Sequence, residues 1–243
     1  MPLIIKDVAQ LTSTAVAHYW TTLDTQAKKQ NSGDADRGRR GAVTGGKQMS
    51  GFCQIVTKLL TDNGLSSVQV MIDHQLELPG YFRPTKMWDM LILHNGSLLA
   101  ALEFKSQRGP SFSNNFNNRA EESVGIAHDL WTANREKAFG ETPQRPWLGW
   151  LMLLEDCDES NKPVDVNEPH FPIFPEFRDA SYAKRYELLL RKLRLERLYD
   201  GTSLLLASEL GGLEGKYTEP AKDLRIESFL AGLVGHIAGS TIK

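Results

Sequence analysis

Two carboxylates and one lysine stand at the edges of two apolar, strand-like segments of this chain. Glu103 and Lys105 close the run LLAALEFK with only Phe104 between them, and Asp89 opens the run DMLILH. Because side chains alternate along a strand, Glu103 and Lys105 share one face. Two carboxylates buried beside one ammonium leave a net negative charge, which is unfavourable at low dielectric constant. The three residues therefore call for a further cation.

A divalent metal ion would supply that cation. Mg²⁺ prefers oxygen ligands, keeps several waters and binds few protein groups. It lowers the pKa of a bound water and offsets charge that develops on phosphate oxygens. Asp89 and Glu103 are then the metal ligands, and Lys105 orients or helps to deprotonate the attacking water and stabilises the transition state. The alternative is a structural or solvated ion pair without catalysis.

The turn between the two runs decides whether Asp89 reaches the face of Glu103. A two-residue turn at Asn95-Gly96 points Asp89 away from Glu103, whereas a three-residue loop with a glycine bulge brings both to one face. Gly96 suits the left-handed position of such a bulge. We predict the three-residue loop, because it gathers all three charges.

Helical and extended patterns follow one another along the chain. Apolar spacing predicts helices at 3–23, 48–62, 119–138, 181–198 and 222–238. Apolar runs predict strands at 68–72, 87–94, 98–105, 147–155 and 203–207. This order predicts a single α/β domain over residues 1–243, with a mixed sheet flanked by helices. The Gly-rich, basic segment 28–47 is predicted to be a mobile arm.

The overall composition limits the class of protein. The chain has 243 residues, 41% hydrophobic and 24% charged, and a formal net charge of −2, so any surface for nucleic acid must be local. Its two cysteines lie far apart without metal-ligand spacing, which favours buried free thiols in a reducing cytoplasm over a disulfide. No leader or long apolar run is evident, so we expect a cytoplasmic protein without a membrane partner.

Longer stretches around the charged residues carry a family resemblance. They are GGKQMSGF (45–52), LPGYFRPTKMWD (78–89), GPSFSNNFNNRAEE (109–122), WLMLLEDC (150–157) and HFPIFPEFRDASYAKRYELL (170–189). Together they resemble the XhoI-type type II restriction endonucleases from about residue 41 to 198. Asp89 and Glu103-Phe104-Lys105 are similar to the PD-(D/E)XK nuclease motif, although Trp88 stands where that motif usually has proline.

The resemblance implies a restriction-endonuclease-like core and a bacterial enzyme that cuts both strands of duplex DNA. The implied site is the palindrome CTCGAG, cut after the first C to leave four-base 5′ overhangs. It also implies Mg²⁺, a homodimer, the catalytic residues Asp89, Glu103 and Lys105, and a cognate DNA methyltransferase encoded in the same genome. Two rivals stay open: a repair or structure-specific nuclease of the same superfamily, and a DNA-binding protein without catalysis.

Candidate DNA contacts follow the catalytic strand. Asn pairs bidentately with adenine and Arg with guanine in the major groove. The candidates are Asn114, Asn115, Asn117, Asn118 and Arg119. Asn118 is alternatively a helix cap in a capping box with Glu121, and Glu121 or Glu122 could offer the metal another carboxylate. A second set of candidates lies in the arm: Arg37, Arg39, Arg40 and Lys47. The arm would wrap a DNA groove; the alternative is a solvated linker.

Overall fold

The computed structural model describes residues 3–31, 48–141 and 145–241. Its α-helices are α1 (Val8–Asn31), α2 (Ser50–Asp62), α3 (Phe112–Arg135), α4 (Asp158–Asn161), α5 (Tyr182–Leu195), α6 (Glu209–Leu213) and α7 (Ile226–Thr241). Its strands are β1 (Gln69–Met71), β2 (Glu77–Pro79), β3 (Thr85–Met87), β4 (Met90–His94), β5 (Ser97–Gln107), β6 (Trp147–Glu155) and β7 (Gly201–Ala207).

Five strands form a mixed sheet in the order β1-β4-β5-β6-β7. Pairing is antiparallel from β1 to β4 and from β4 to β5, and parallel from β5 to β6 and from β6 to β7. The remaining strands, β2 and β3, form a separate antiparallel hairpin. The predicted α/β class with a mixed sheet flanked by helices is confirmed.

Helices cover both faces of the sheet, which explains why its central strands are apolar on both sides. Residues of α1, α2 and α7 pack on one face, where Val16, Phe52 and Leu233 belong to one buried cluster. Residues of α3 and α5 pack on the other, with Ala101 and Trp150 in a second cluster. Because side chains alternate along β5, Glu103 and Lys105 point to the same face as Ala101.

The turn between β4 and β5 differs from the prediction. Asn95 and Gly96 both have positive φ, 49° and 77°, and His94 pairs with Ser97. This is a two-residue turn of the kind that Asn-Gly favours in hairpins, so the predicted three-residue loop is wrong.

A β-bulge further along the hairpin supplies the change of parity instead. Leu93 pairs with Leu98, but Ile92 pairs with Ala100, so Leu99 is the extra residue. Met90 consequently lies opposite Leu102. The residues before and after that pair, Asp89 and Glu103, therefore come to the same face.

Several helix boundaries also differ from the predictions, most of all those of α1 and α3. α1 begins at Val8 and continues to Asn31, which takes up the first residues of the predicted arm. α3 begins at Phe112, with Ser111 as its N-cap, about two turns before the predicted start. Asn118 is therefore not a helix cap, and the predicted capping box is wrong. Glu121 instead accepts a hydrogen bond of 2.9 Å from Asn117 Nδ2.

Three smaller observations complete the fold. Arg37, Arg39, Arg40 and Lys47 lie outside the described residues, as does the arm from residue 32 onward. Both cysteines are free thiols, as expected, but only Cys53 is buried and Cys157 is half-buried. In the part of the chain that the structure describes, no helix is long and apolar enough to cross a membrane.

Candidate active site

Asp89 and Lys105 meet at the start of β4. The backbone N–H of Phe104 donates to Asp89 Oδ2 at 2.8 Å, and Lys105 Nζ lies 3.1 Å from the same oxygen. The Asp89 side chain is 32% exposed, so one side of this carboxylate remains accessible to solvent. The structure thus brings Asp89 to the lysine of β5, although by the bulge rather than the predicted loop.

Glu103 lies beneath them and is fully buried, with 0% of its side chain exposed. Lys105 Nζ contacts Glu103 Oε2, and Lys105 therefore bridges the two carboxylates. The indole of Trp150 on β6 lies 5.8 Å from the same ammonium and forms part of the wall of the site. Asp89, Glu103 and Lys105 form one cluster on one face of the sheet, as the parity argument required. Their catalytic roles stay predictions.

Sequence reasoning missed a second lysine in this cluster. Lys86, on β3, places Nζ 2.6 Å from Glu103 Oε1. The site then contains two carboxylates and two ammoniums, so the premise that only one lysine accompanies the carboxylates was incomplete. The signal was present three residues before Asp89 in the stretch LPGYFRPTKMWD. Only the fold of the β2–β3 hairpin brings Lys86 to Glu103.

Burial and neighbouring charges shift the pKa values of this cluster. Burial raises the pKa of Glu103 and the nearby Asp89 adds to the rise, whereas Lys105 and Lys86 act against it. Burial disfavours the charge on Lys105, but Glu103 and Asp89 outweigh it and raise the pKa of Lys105. Lys105 is therefore an ammonium at neutral pH. That state suits orientation of water and stabilisation of negative charge better than removal of a proton.

One side of α3 forms the rim of the site. Glu122 lies 4.0 Å from Lys105 and also pairs with Arg119. Residues three and four positions apart share a helix face, so Asn115 and Asn118 lie on the same side as Arg119 and Glu122. Asn115 is half-buried and Asn118 exposed.

The other two asparagines lie further from the site on α3. At about 100° per residue, Asn117 is turned away from the line through Asn115 and Arg119. Asn114, in contrast, lies four positions before Asn118 and shares its flank of the helix. Asn114 and Asn117 are both exposed, and Asn117 is hydrogen-bonded to Glu121. The structure therefore places Asn115 and Arg119 on the site's side of α3, Asn118 and Asn114 on its flank, and Asn117 on a different side.

The donor set suits a hard cation. Two carboxylates, with Glu122 nearby, offer oxygen ligands only, and the exposed side of Asp89 leaves room for waters, as Mg²⁺ requires. Within residues 3–31, 48–141 and 145–241, no three His, Cys, Asp or Glu side chains are arranged to hold a metal by themselves. An ion here would be held by Asp89 and Glu103, with water or phosphate oxygens completing its shell.

Comparison with known proteins places these observations in a family. The family model described as restriction endonuclease XhoI matches residues 28–219. The type II restriction enzyme BstVI of Geobacillus stearothermophilus is 56% identical over 215 residues, covering 86% of this chain and 95% of that protein.

Two further relatives agree. The type II restriction enzyme XhoI of Xanthomonas vasicola is 45% identical over 198 residues, covering 81% of this chain and 79% of that protein. The type II restriction enzyme AbrI of Azospirillum brasilense is 49% identical over 176 residues, covering 70% of this chain and 77% of that protein. No solved structure matches the chain.

Proposed function

The chain belongs to the XhoI family of type II restriction endonucleases and is a site-specific deoxyribonuclease, and we propose that it cuts duplex DNA at CTCGAG with Mg²⁺. Cleavage after the first C on each strand leaves four-base 5′ overhangs. We also infer that residues 1–243 form one nuclease domain. The observation that carries the proposal is the bridge that Lys105 makes between Asp89 and Glu103.

The reaction that this cluster supports is hydrolysis of a phosphodiester. Mg²⁺, when bound, lowers the pKa of a water and offsets charge on the phosphate oxygens. Asp89 and Glu103 would hold the ion, and the Lys105 ammonium would orient the attacking water and stabilise the pentacovalent transition state. The water gives up a proton to solvent and its oxygen bonds to phosphorus while the bond to the 3′ oxygen breaks, and the 3′ oxygen takes up a proton. The products are a 5′-phosphate and a 3′-hydroxyl.

The DNA lies, in this proposal, along the side of α3 that borders the site. Asn115 and Arg119 then contact bases or phosphates nearest the cut, with Asn118 and Asn114 beside them and Asn117 further along the groove. The arm residues Arg37, Arg39, Arg40 and Lys47 contact phosphates and raise affinity in a salt-dependent manner. These contacts are supported by their residue types and, for α3, by position.

The symmetry of the substrate suggests the assembly. A palindromic site is read most simply by a two-fold homodimer, one protomer for each strand. The enzyme would act in the bacterial cytoplasm, and a methyltransferase encoded in the same genome would protect the host DNA without forming a stable complex with the enzyme.

Mapping of cleavage ends on a long natural DNA tests the proposal. With Mg²⁺, the purified protein should yield a fixed set of fragments, each ending at CTCGAG with a four-base 5′ overhang, and chelation with EDTA should stop the reaction. Fragments that end at another palindrome would refute the proposed site alone. Intact DNA with a folded protein, or cuts only at nicks and junctions, would refute the proposal and favour a rival.

A further inference from the structure

Lys86 is held beside Glu103 by several contacts at once. Its Nζ lies 2.6 Å from Glu103 Oε1 and 4.8 Å from the centre of the Trp88 ring, and it also donates to the carbonyl of Met87. The Lys86 side chain is only 14% exposed. Lysine is rarely buried to this extent unless it is paired, so the pairing with Glu103 is what keeps this ammonium in place.

The two lysines of the site do different work. Lys105 contacts both Asp89 and Glu103, whereas the ion pair of Lys86 among the described residues is with Glu103 alone. Without Lys86, two carboxylates would face one ammonium, and the cluster would carry a net charge of about −1. Lys86 is therefore the cation that brings the metal-free cluster to neutrality.

The hairpin that carries Lys86 is braced against α3. Lys86 pairs with Leu78 across β2 and β3. At the tip, the Asp129 carboxylate of α3 accepts hydrogen bonds from the backbone N–H groups of Tyr81 and Phe82, at 2.7 and 2.9 Å, and pairs with Arg83. The position of the Lys86 ammonium is thus set by a fixed element of the fold and not by a free surface side chain.

We propose that Lys86 is a built-in counter-cation that competes with the divalent ion for Glu103. The inference rests on the proposed function, because it takes Glu103 as a metal ligand. The ammonium already contacts Glu103 Oε1 and places a positive charge where a cation must approach. Binding of the ion therefore requires Lys86 to give up its ion pair. The positive charge of Lys86 keeps the metal-free site folded and weakens the affinity for the ion.

Calorimetric titration of the full chain with Ca²⁺, without DNA, measures this competition. Lys86→Met removes the charge and keeps most of the side-chain volume, so Ca²⁺ should bind about tenfold tighter than to the wild type. The metal-free variant should also melt at a lower temperature than the metal-free wild type. Saturating Ca²⁺ should reduce this difference in melting temperature. Lys58→Met, which removes an exposed lysine paired with Asp62, is the control and should match the wild type in both measurements.

Affinity of Lys86→Met for Ca²⁺ equal to or weaker than that of the wild type would overturn the inference. If this variant does not fold, Lys86→Gln retains a donor to Glu103 without the charge, and the same criterion applies to it. Another outcome is that the wild type binds Ca²⁺ and cuts DNA with Mg²⁺ while the variants bind Ca²⁺ no more tightly. That result refutes the role of Lys86 and leaves the proposed function intact. A wild type that neither binds the ion nor cuts DNA refutes the proposed function and, with it, this inference.

Discussion

Glu103 forms ion pairs with both lysines of the site, Lys86 and Lys105. A fully buried carboxylate is costly unless charged or hydrogen-bonding groups compensate it, and here Lys86 and Lys105 approach its two oxygens. Part of the stability of the metal-free protein therefore depends on groups to which we assign a role in catalysis. The same burial fixes the carboxylate for its proposed role as a ligand.

Asp129 is a second buried carboxylate with a purely structural task. Only 5% of its side chain is exposed, and its bonds all go to the tip of the β2–β3 hairpin. Burial alone would raise its pKa, but the hydrogen bonds from Phe82, Arg83 and Tyr81 outweigh it and lower the pKa below the ordinary value. The folded state therefore favours the ionised form of Asp129.

Asp129→Asn should destabilise the protein in a pH-dependent manner. Because the pKa of Asp129 is lower in the folded state, its contribution is fully present above the unfolded-state pKa of about 3.9 and is lost as the pH falls through the folded-state value. We expect a loss of about 1–3 kcal/mol in the free energy of unfolding at pH 7, measured with urea.

The same measurement repeated toward pH 3.5 distinguishes the charge from the shape of the side chain. The difference in the free energy of unfolding between Asp129→Asn and the wild type should decrease as the pH falls below 4. Asp62→Asn, at an exposed i,i+4 pair with Lys58, should cost less than about 1 kcal/mol at either pH. A destabilisation by Asp129→Asn that is equally large at both pH values would contradict the assigned role of the charge.

At the scale of elements, one unpaired residue decides the geometry of the site. The turn at Asn95-Gly96 by itself would place Asp89 away from Glu103, and the bulge at Leu99 reverses that parity. The sequence predicts the hairpin and its turn, but not the position of the bulge. Gly96 suits both a tight two-residue turn and a bulged loop, whereas Leu99 carries no local signal for a bulge.

Deletion of Leu99 tests this dependence. Without the extra residue, the pairs Leu93–Leu98 and Ile92–Ala100 become neighbours in a regular ladder, so Asp89 stays opposite Glu103 and DNA cleavage should stay within about tenfold of the wild-type rate. Asn95→Gly, which keeps the two-residue turn and tolerates positive φ, should cut DNA at the wild-type rate. A folded deletion variant that loses cleavage by about a hundredfold or more would show that the bulge does more than set this parity.

The β2–β3 hairpin shows why a part of the site was invisible to sequence reasoning. Each strand has three residues with alternating, mostly exposed side chains, too short for a periodic pattern. Its link to the site depends on Asp129, which lies more than forty residues further along the chain. Long-range contacts of this kind supplied Lys86, whereas strand alternation alone placed Glu103 and Lys105 together.

At the scale of the whole molecule, the order of apolar segments predicted the architecture well. Buried strands such as β6, which is apolar along nearly its whole length, and the helical spacing of Phe229, Leu230 and Leu233 in α7 have strong periodic signals. Helix starts were less predictable, because α3 begins in a polar stretch, SFSNNFNN, that is typical of a loop. The asparagines therefore lie on helical faces, which separates Asn115 from Asn117 and leaves Asn118 and Asn114 between them.

The central claim, that Glu103 belongs to the catalytic centre of a DNA-cutting enzyme, is tested most directly by comparing cleavage and binding in Glu103→Ala and Glu103→Gln. With Mg²⁺ and DNA containing CTCGAG, both variants should lose cleavage by about a thousandfold or more, yet retain binding to the same duplex in a gel-shift assay. Glu214→Gln, at an exposed pair with Lys216, should cut at the wild-type rate. Undiminished cutting by the Glu103 variants would contradict the account.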